Sequence, residues 1–83
     1  MYQIQKGLII QKIDKETVIF DAEESVLYTL NETASEIFRF LKKGLKEEEI
    51  VERMVKKYEV RKERVEKDIK KLLEELKKKK IVL

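Results

Sequence analysis

Cysteine, histidine, proline and tryptophan are all missing from this sequence, and glycine occurs only twice. Without cysteine there are no disulfides, thiolate metal sites or cysteine nucleophiles. Without histidine the usual general base and the commonest metal ligand are gone. Gly7 and Gly44 alone cannot build a phosphate-cradling loop. No apolar run approaches the ~20 residues of a membrane span. The segment from Met1 to Lys6 lacks the long apolar core of a signal peptide, so a cytoplasmic protein with no membrane partner is expected. The remaining carboxylate groups, Glu23 with Glu24 and Glu47 with Glu48 and Glu49, fall in a loop and at a helix start. Capping and solvation explain them better than the burial that acid–base chemistry requires. The expectation is a non-enzyme without cofactor or metal.

What is present is charge. Of the 83 residues, 45% are charged and 42% hydrophobic, with a formal net charge of +3. That length makes one small domain over residues 1–83, burying about 60% of the surface of its unfolded chain, so a single core carries the stability. The Lys- and Glu-rich composition resembles that of heat-adapted proteins. Charge is unevenly spread: residues 1–41 hold 4 basic and 7 acidic side chains, a net of −3, whereas residues 42–83 hold 16 and 10, a net of +6.

Three short segments with period-two apolar character come first: Leu8, Ile9 and Ile10 reaching to Ile13; Val18, Ile19 and Phe20; and Val26, Leu27 and Tyr28. Rich in β-branched and aromatic residues and separated by short polar stretches, they predict a three-strand antiparallel meander, although neither turn carries an Asn-Gly signal. From Asn31 the period becomes helical. Ala34, Ile37, Phe38 and Leu41 share one face of a first helix, for which Asn31 is a good N-cap and Thr33 with Glu36 a competing capping box. Gly44 suits a left-handed C′ position with Leu45 packed over Phe40. A second helix is predicted over 47–58, with acidic residues in its first turn and Lys46 a poor cap, and a third over 62–79. Acidic residues standing four before a basic one, such as Glu49 before Arg53 and Glu75 before Lys79, support solvated faces. The run Lys77, Lys78, Lys79, Lys80 reads as a frayed, solvated helix end, followed by the apolar tail Ile81, Val82, Leu83. The order β-β-β-α-α-α predicts an α+β fold of winged helix-turn-helix type, a three-stranded antiparallel sheet followed by a three-helix bundle.

A helix-turn-helix raises the alternative of a small DNA-binding protein, with Arg61, Lys62, Arg64, Lys67 and Lys71 near or on the last helix. Glu63, Glu66, Asp68, Glu74 and Glu75 on the same helix would meet phosphates with like charge, and +3 is modest for a duplex binder, so nucleic acid is disfavoured. The dispersed Tyr2, Tyr28 and Tyr58 offer little stacking for single strands. A further alternative is self-pairing, a homodimer through an exposed strand edge or strand exchange.

The segment Leu30, Asn31, Glu32, Thr33, Ala34, Ser35, Glu36, Ile37, Phe38 stands directly after the third predicted strand. With Glu48 to Val51, Tyr58 to Val60, and the pattern of Val65, Asp68, Ile69, Leu72, Leu73 and Leu76, it resembles the PqqD-like family over nearly the whole chain. Phe38 stands where Trp is common, Lys80 where Gly often precedes the final apolar pair, and Arg61 in place of a short polar cap. The resemblance implies a stand-alone adaptor. Such a domain holds the leader of a ribosomally made precursor peptide and presents it to a maturation enzyme, often of the radical SAM type.

An exposed strand edge suits that role, because an extended peptide can pair with its free N–H and C=O groups. The resemblance places the groove between the third strand and the third helix, which points to Val26, Leu27, Tyr28 and Thr29. Alternation puts Val26 and Tyr28 on the core side with Leu30, and Leu27 and Thr29 on the other. Core packing is therefore expected for the first pair, with their backbone left to the peptide. A helical wheel sets Arg61, Arg64, Asp68 and Lys71 along one flank of the third helix, beside an apolar floor at Leu72, and the resemblance favours Asp68 for testing. The positive helical half predicts an acidic leader and salt-weakened binding.

Overall fold

The computed structural model describes residues 4–82, and the expectations placed on Tyr2 and Leu83 lie outside them. Three strands, β1 (Leu8–Ile13), β2 (Glu16–Asp21) and β3 (Val26–Leu30), precede three helices, α1 (Glu32–Lys42), α2 (Glu47–Tyr58) and α3 (Lys62–Lys78). The sheet is an antiparallel meander in the order β1-β2-β3, so β1 and β3 are its two edges. The α+β architecture is the one that the sequence predicts.

Turn chemistry explains how the hairpins close without Asn-Gly. Ile13 pairs with Glu16, leaving a two-residue loop in which Asp14 takes a left-handed φ of 58°. Asp is among the few residues that tolerate this conformation. At the second turn the Asp21 carboxylate accepts from the N–H groups of Glu23 and Glu24 at 3.1 and 3.2 Å. It thereby builds an Asx-type turn at the end of the sheet.

Register then sorts the two faces. Ile10, Ile19 and Tyr28 stand in one cross-strand row, and Ile9, Phe20 and Leu27 in the adjacent one. The first row faces the helices, where Ile19 is fully buried. The second faces away, leaving Ile9, Ile13 and Leu27 at 57%, 55% and 60% exposure. The core joins Ile19 and Leu30 to Ile37, Phe38 and Leu41 of α1, Ile50 and Met54 of α2, and Ile69 and Leu73 of α3.

Helix ends follow the local signals. Asn31 caps α1, its Oδ1 accepting from the Ala34 N–H at 2.9 Å. The competing start is unused, because Glu36 pairs elsewhere. At the other end Leu45 N–H bonds to Phe40 O and Gly44 N–H to Leu41 O, with Gly44 at φ 84°. This is the Schellman closure that Gly44 predicts. Lys46 supplies no side-chain cap, yet the Glu49 carboxylate accepts from its backbone N–H at 3.1 Å, half of a capping box. Glu49 therefore does not pair with Arg53, while Glu75 does reach Lys79 at 3.4 Å.

The lysine run departs from expectation. Lys80 adopts φ 59° and turns the chain back, so that Ile81 and Val82 are buried and Ile4 pairs with Val82 in an antiparallel bridge. The end of α3 is thus clamped by apolar burial rather than frayed. Among the described residues no helix is long and apolar enough to cross a membrane.

Candidate functional site

Two gaps open beneath the sheet, one at each edge. No Cα of α3 comes within 8 Å of a β3 Cα, and the same holds for α1 and β1. Side chains alone bridge these spaces.

Two adjoining cavities run along α3 and together form its groove: the first lies between the start of α1 and α3, and the second reaches β3. Asn31, Ala34 and Ile37 at the start of α1 and Arg64, Asp68, Lys71 and Leu72 on α3 line a cavity of 320 Å³. Val26 and Tyr28 on β3, Gln5, and the end of α3 line a second of 420 Å³. Glu75 belongs to both. Lys79 spans the lower half, its Nζ 4.4 Å from the centroid of the Tyr28 ring and 3.4 Å from Glu75 Oε2. A cation over an aromatic face is a favourable contact that a guest could displace or extend. The Gln5 side-chain oxygen is buried in this half with no hydrogen-bond partner. A buried acceptor left unpaired is costly, so it favours a donor arriving from outside.

Most of the predicted site residues meet here. Arg64, Asp68, Lys71 and Leu72 share the upper half, and Val26 and Tyr28 the lower. Tyr28 is half-buried and packs against the core as alternation predicts, while also lining the groove; Val26 is half-buried and lines the groove without joining the core, because α3 stands too far off to cover it. Leu27 and Thr29 are exposed on the far face, so only their backbone borders the open edge. Arg61 stays out: it is the N-cap residue of α3, exposed and absent from the groove lining.

Charge along the groove is more even than the sequence-wide asymmetry behind the acidic-leader expectation. Arg64, Lys71, Lys78, Lys79 and Lys80 stand along the groove against Asp21, Glu23, Glu24, Asp68 and Glu75, an even balance. The Asx turn at Asp21 brings acidic residues of the negative half beside the lysine run, which sequence-wide charge arithmetic cannot register. Gln5, Glu75 and Lys79 are likewise groove residues that sequence reasoning missed.

The second gap lies between β1 and α1, a cavity of 340 Å³. Ile10, Lys12, Lys15 and Thr17 of the first hairpin face Glu32, Ser35, Glu36, Phe38, Arg39 and Lys42 of α1, with Lys57 and Tyr58 closing the end. Glu36 is its fixed point: Lys57 Nζ donates to Oε1 at 2.9 Å and Arg39 Nη2 to Oε2 at 3.0 Å. Burial pushes the Glu36 carboxyl upward, but the hydrogen bonds from Lys57 and Arg39 outweigh it and hold the group below its ordinary range. The Glu36 hydrogen bond in turn raises Lys57. No sequence signal marked this cleft, whose residues come from separate elements and read locally as solvated charges.

No group of acidic residues suited to a metal ion occurs among the described residues. No curated protein matches the chain. Among solved structures, TbiB1 in complex with the TbiA(beta) leader peptide is similar, at 28% identity and a TM-score of 0.87 over 96% of this chain and 93% of that one. Lasso peptide synthetase B1 complexed with the leader peptide shares the fold, with a TM-score of 0.91 at 24% identity over 99% and 96%. The family described as Coenzyme PQQ synthesis protein D matches residues 16–82, from β2 to the bridge that closes the chain. The chain belongs to the PqqD family.

Proposed function

We propose that this protein is a non-catalytic adaptor, one domain over its length, that captures the leader of a ribosomally made precursor peptide and presents it to a modifying enzyme. The observation that carries this reading is the free edge of β3 standing across a gap from α3. An extended leader adds there as a fourth strand, its main chain bonding to residues 26–29 and alternate side chains entering the groove. TbiB1, similar at 28% identity, is known with a leader peptide, which supports the same use of this fold. Tyr28, Leu72 and Lys79 form the floor, and Arg64, Asp68 and Lys71 select at one end. The radical SAM type of the enzyme partner and the cytoplasmic setting rest on the family resemblance and the composition.

A few strand bonds at about 0.5–1.5 kcal/mol each and one or two apolar anchors at about 1.5–3 kcal/mol offset the ordering of a flexible leader. Affinity of roughly micromolar to sub-micromolar strength follows. Because the lining is balanced in charge, a leader of mixed charge is favoured, with affinity changing less than about threefold between low and physiological salt. The test is amide hydrogen exchange with a candidate leader from a neighbouring precursor gene. New protection at residues 26–29 supports strand addition. Unchanged exchange at β3 in a saturated complex rejects it.

A further inference from the structure

The opposite edge of the sheet carries its own recognition chemistry. Five cations, Lys12, Lys15, Arg39, Lys42 and Lys57, face two carboxylates in the β1–α1 cleft. Both carboxylates are already engaged: Glu36 by Arg39 and Lys57, and Glu32 by Lys15 at 3.8 Å. Lys12 has no ion pair among the described residues, and Lys42 meets only the face of Phe38, at 5.5 Å. The cleft therefore retains positive charge that no ion pair among the described residues neutralises. Tyr58 lines the same cleft, and its hydroxyl is buried behind the lining with no hydrogen-bond partner among the described residues. A phenol in that position is a donor that an incoming carboxylate would satisfy.

The cleft lies under an unpaired strand. β1 bonds to β2 on one side, and among the described residues no strand pairs with its outward side. A strand added to β1 would alternate its side chains between the two faces of the sheet. One set would fall beside Ile10 and Lys12, over the cations. The other would fall beside Ile9 and Ile13, whose exposure is 57% and 55%.

From this juxtaposition we infer that the β1 edge is a second docking site, taking an extended acidic segment of a partner protein in which carboxylates alternate with apolar residues. The carboxylates occupy the cleft against Lys12, Lys42 and the Tyr58 hydroxyl, and the apolar residues cover Ile9 and Ile13. This goes beyond leader capture at β3 and does not depend on it. If both hold, the adaptor grips one extended chain at each edge of a single sheet.

The test uses the whole protein, labelled for backbone NMR, and a capped peptide of alternating valine and glutamate, with a valine–lysine peptide as control. The acidic peptide is expected to shift and protect β1 amides and to leave residues 26–29 unchanged. Its affinity should fall about tenfold in Lys12→Glu and a few-fold in the near-isosteric Tyr58→Phe, and several-fold more in raised salt. Protection confined to residues 26–29, equal binding of the lysine peptide, or unaltered affinity in both variants overturns the inference. Each variant is checked by its unperturbed core spectrum. Leader binding at β3 is read from different amides, so failure of one assignment leaves the other measurable.

Discussion

The two edges of this sheet are built alike and charged differently. Each faces a helix across a gap that no backbone closes, and each gap contains one buried polar atom without a partner, Gln5 Oε1 under β3 and Tyr58 Oη under β1. The β3 gap balances its charges, whereas the β1 gap keeps an excess of cations. Net charge is thus a poor guide to where a partner of opposite sign should bind. What decides is which charges the fold has already matched. The turn at Asp21 sets acidic residues in the same groove as the lysines at the end of α3, whereas the cleft around Lys12 and Lys42 holds only Glu32 and Glu36.

The comparison breaks if the two gaps fail together. Phe38 lines the β1 gap and is 1% exposed at the centre of the core. Phe38→Ala should cost about 3–5 kcal/mol in denaturant unfolding, enough to damage both edges at once. Leu72 lines the cavity between α1 and α3 that adjoins β3 and not the β1 cleft, and it stands at the margin of the core. Leu72→Ala should cost about 2 kcal/mol and weaken leader binding roughly tenfold by calorimetry, leaving acidic-peptide shifts on β1 unchanged. A matching loss at β1 would show the gaps to be coupled.

Smaller still is Glu36→Gln, expected to cost about 1 kcal/mol at neutral pH, since its partners are half exposed and solvent screens them. The sign of its pH dependence is set by the lowered carboxyl. A group whose folded value lies below its unfolded one contributes fully above the ordinary 4.5 and loses that contribution as pH falls through the folded value. The stability gap between the native protein and Glu36→Gln should therefore be widest above pH 4.5 and close on acidification, measured by urea titration across that range.

Much of the fold is legible in the sequence because its signals are local. Asn31, Gly44 and the apolar spacing of each helix act within one turn, and alternation of apolar residues acts within one strand. The β3–α3 groove is legible through the family resemblance, since no local rule says how far α3 stands from β3. The β1–α1 cleft escaped because Lys12, Glu36, Lys57 and Tyr58 are distant in the chain, and each reads alone as an ordinary solvated or core residue. Lys79 escaped for a related reason. A run of four lysines looks interchangeable until Lys80 turns the backbone and one of them is laid across Tyr28.

The bridge between Ile4 and Val82, reinforced by Gln5 N–H to Ile81 O at 2.8 Å, has a topological consequence. The segment that leads into β1 and the one that leaves α3 are thereby fastened to each other, so the turn at Lys80 anchors two stretches of chain far apart in sequence. Loosening that turn would free both together while β1, β2 and β3 keep their contiguous order.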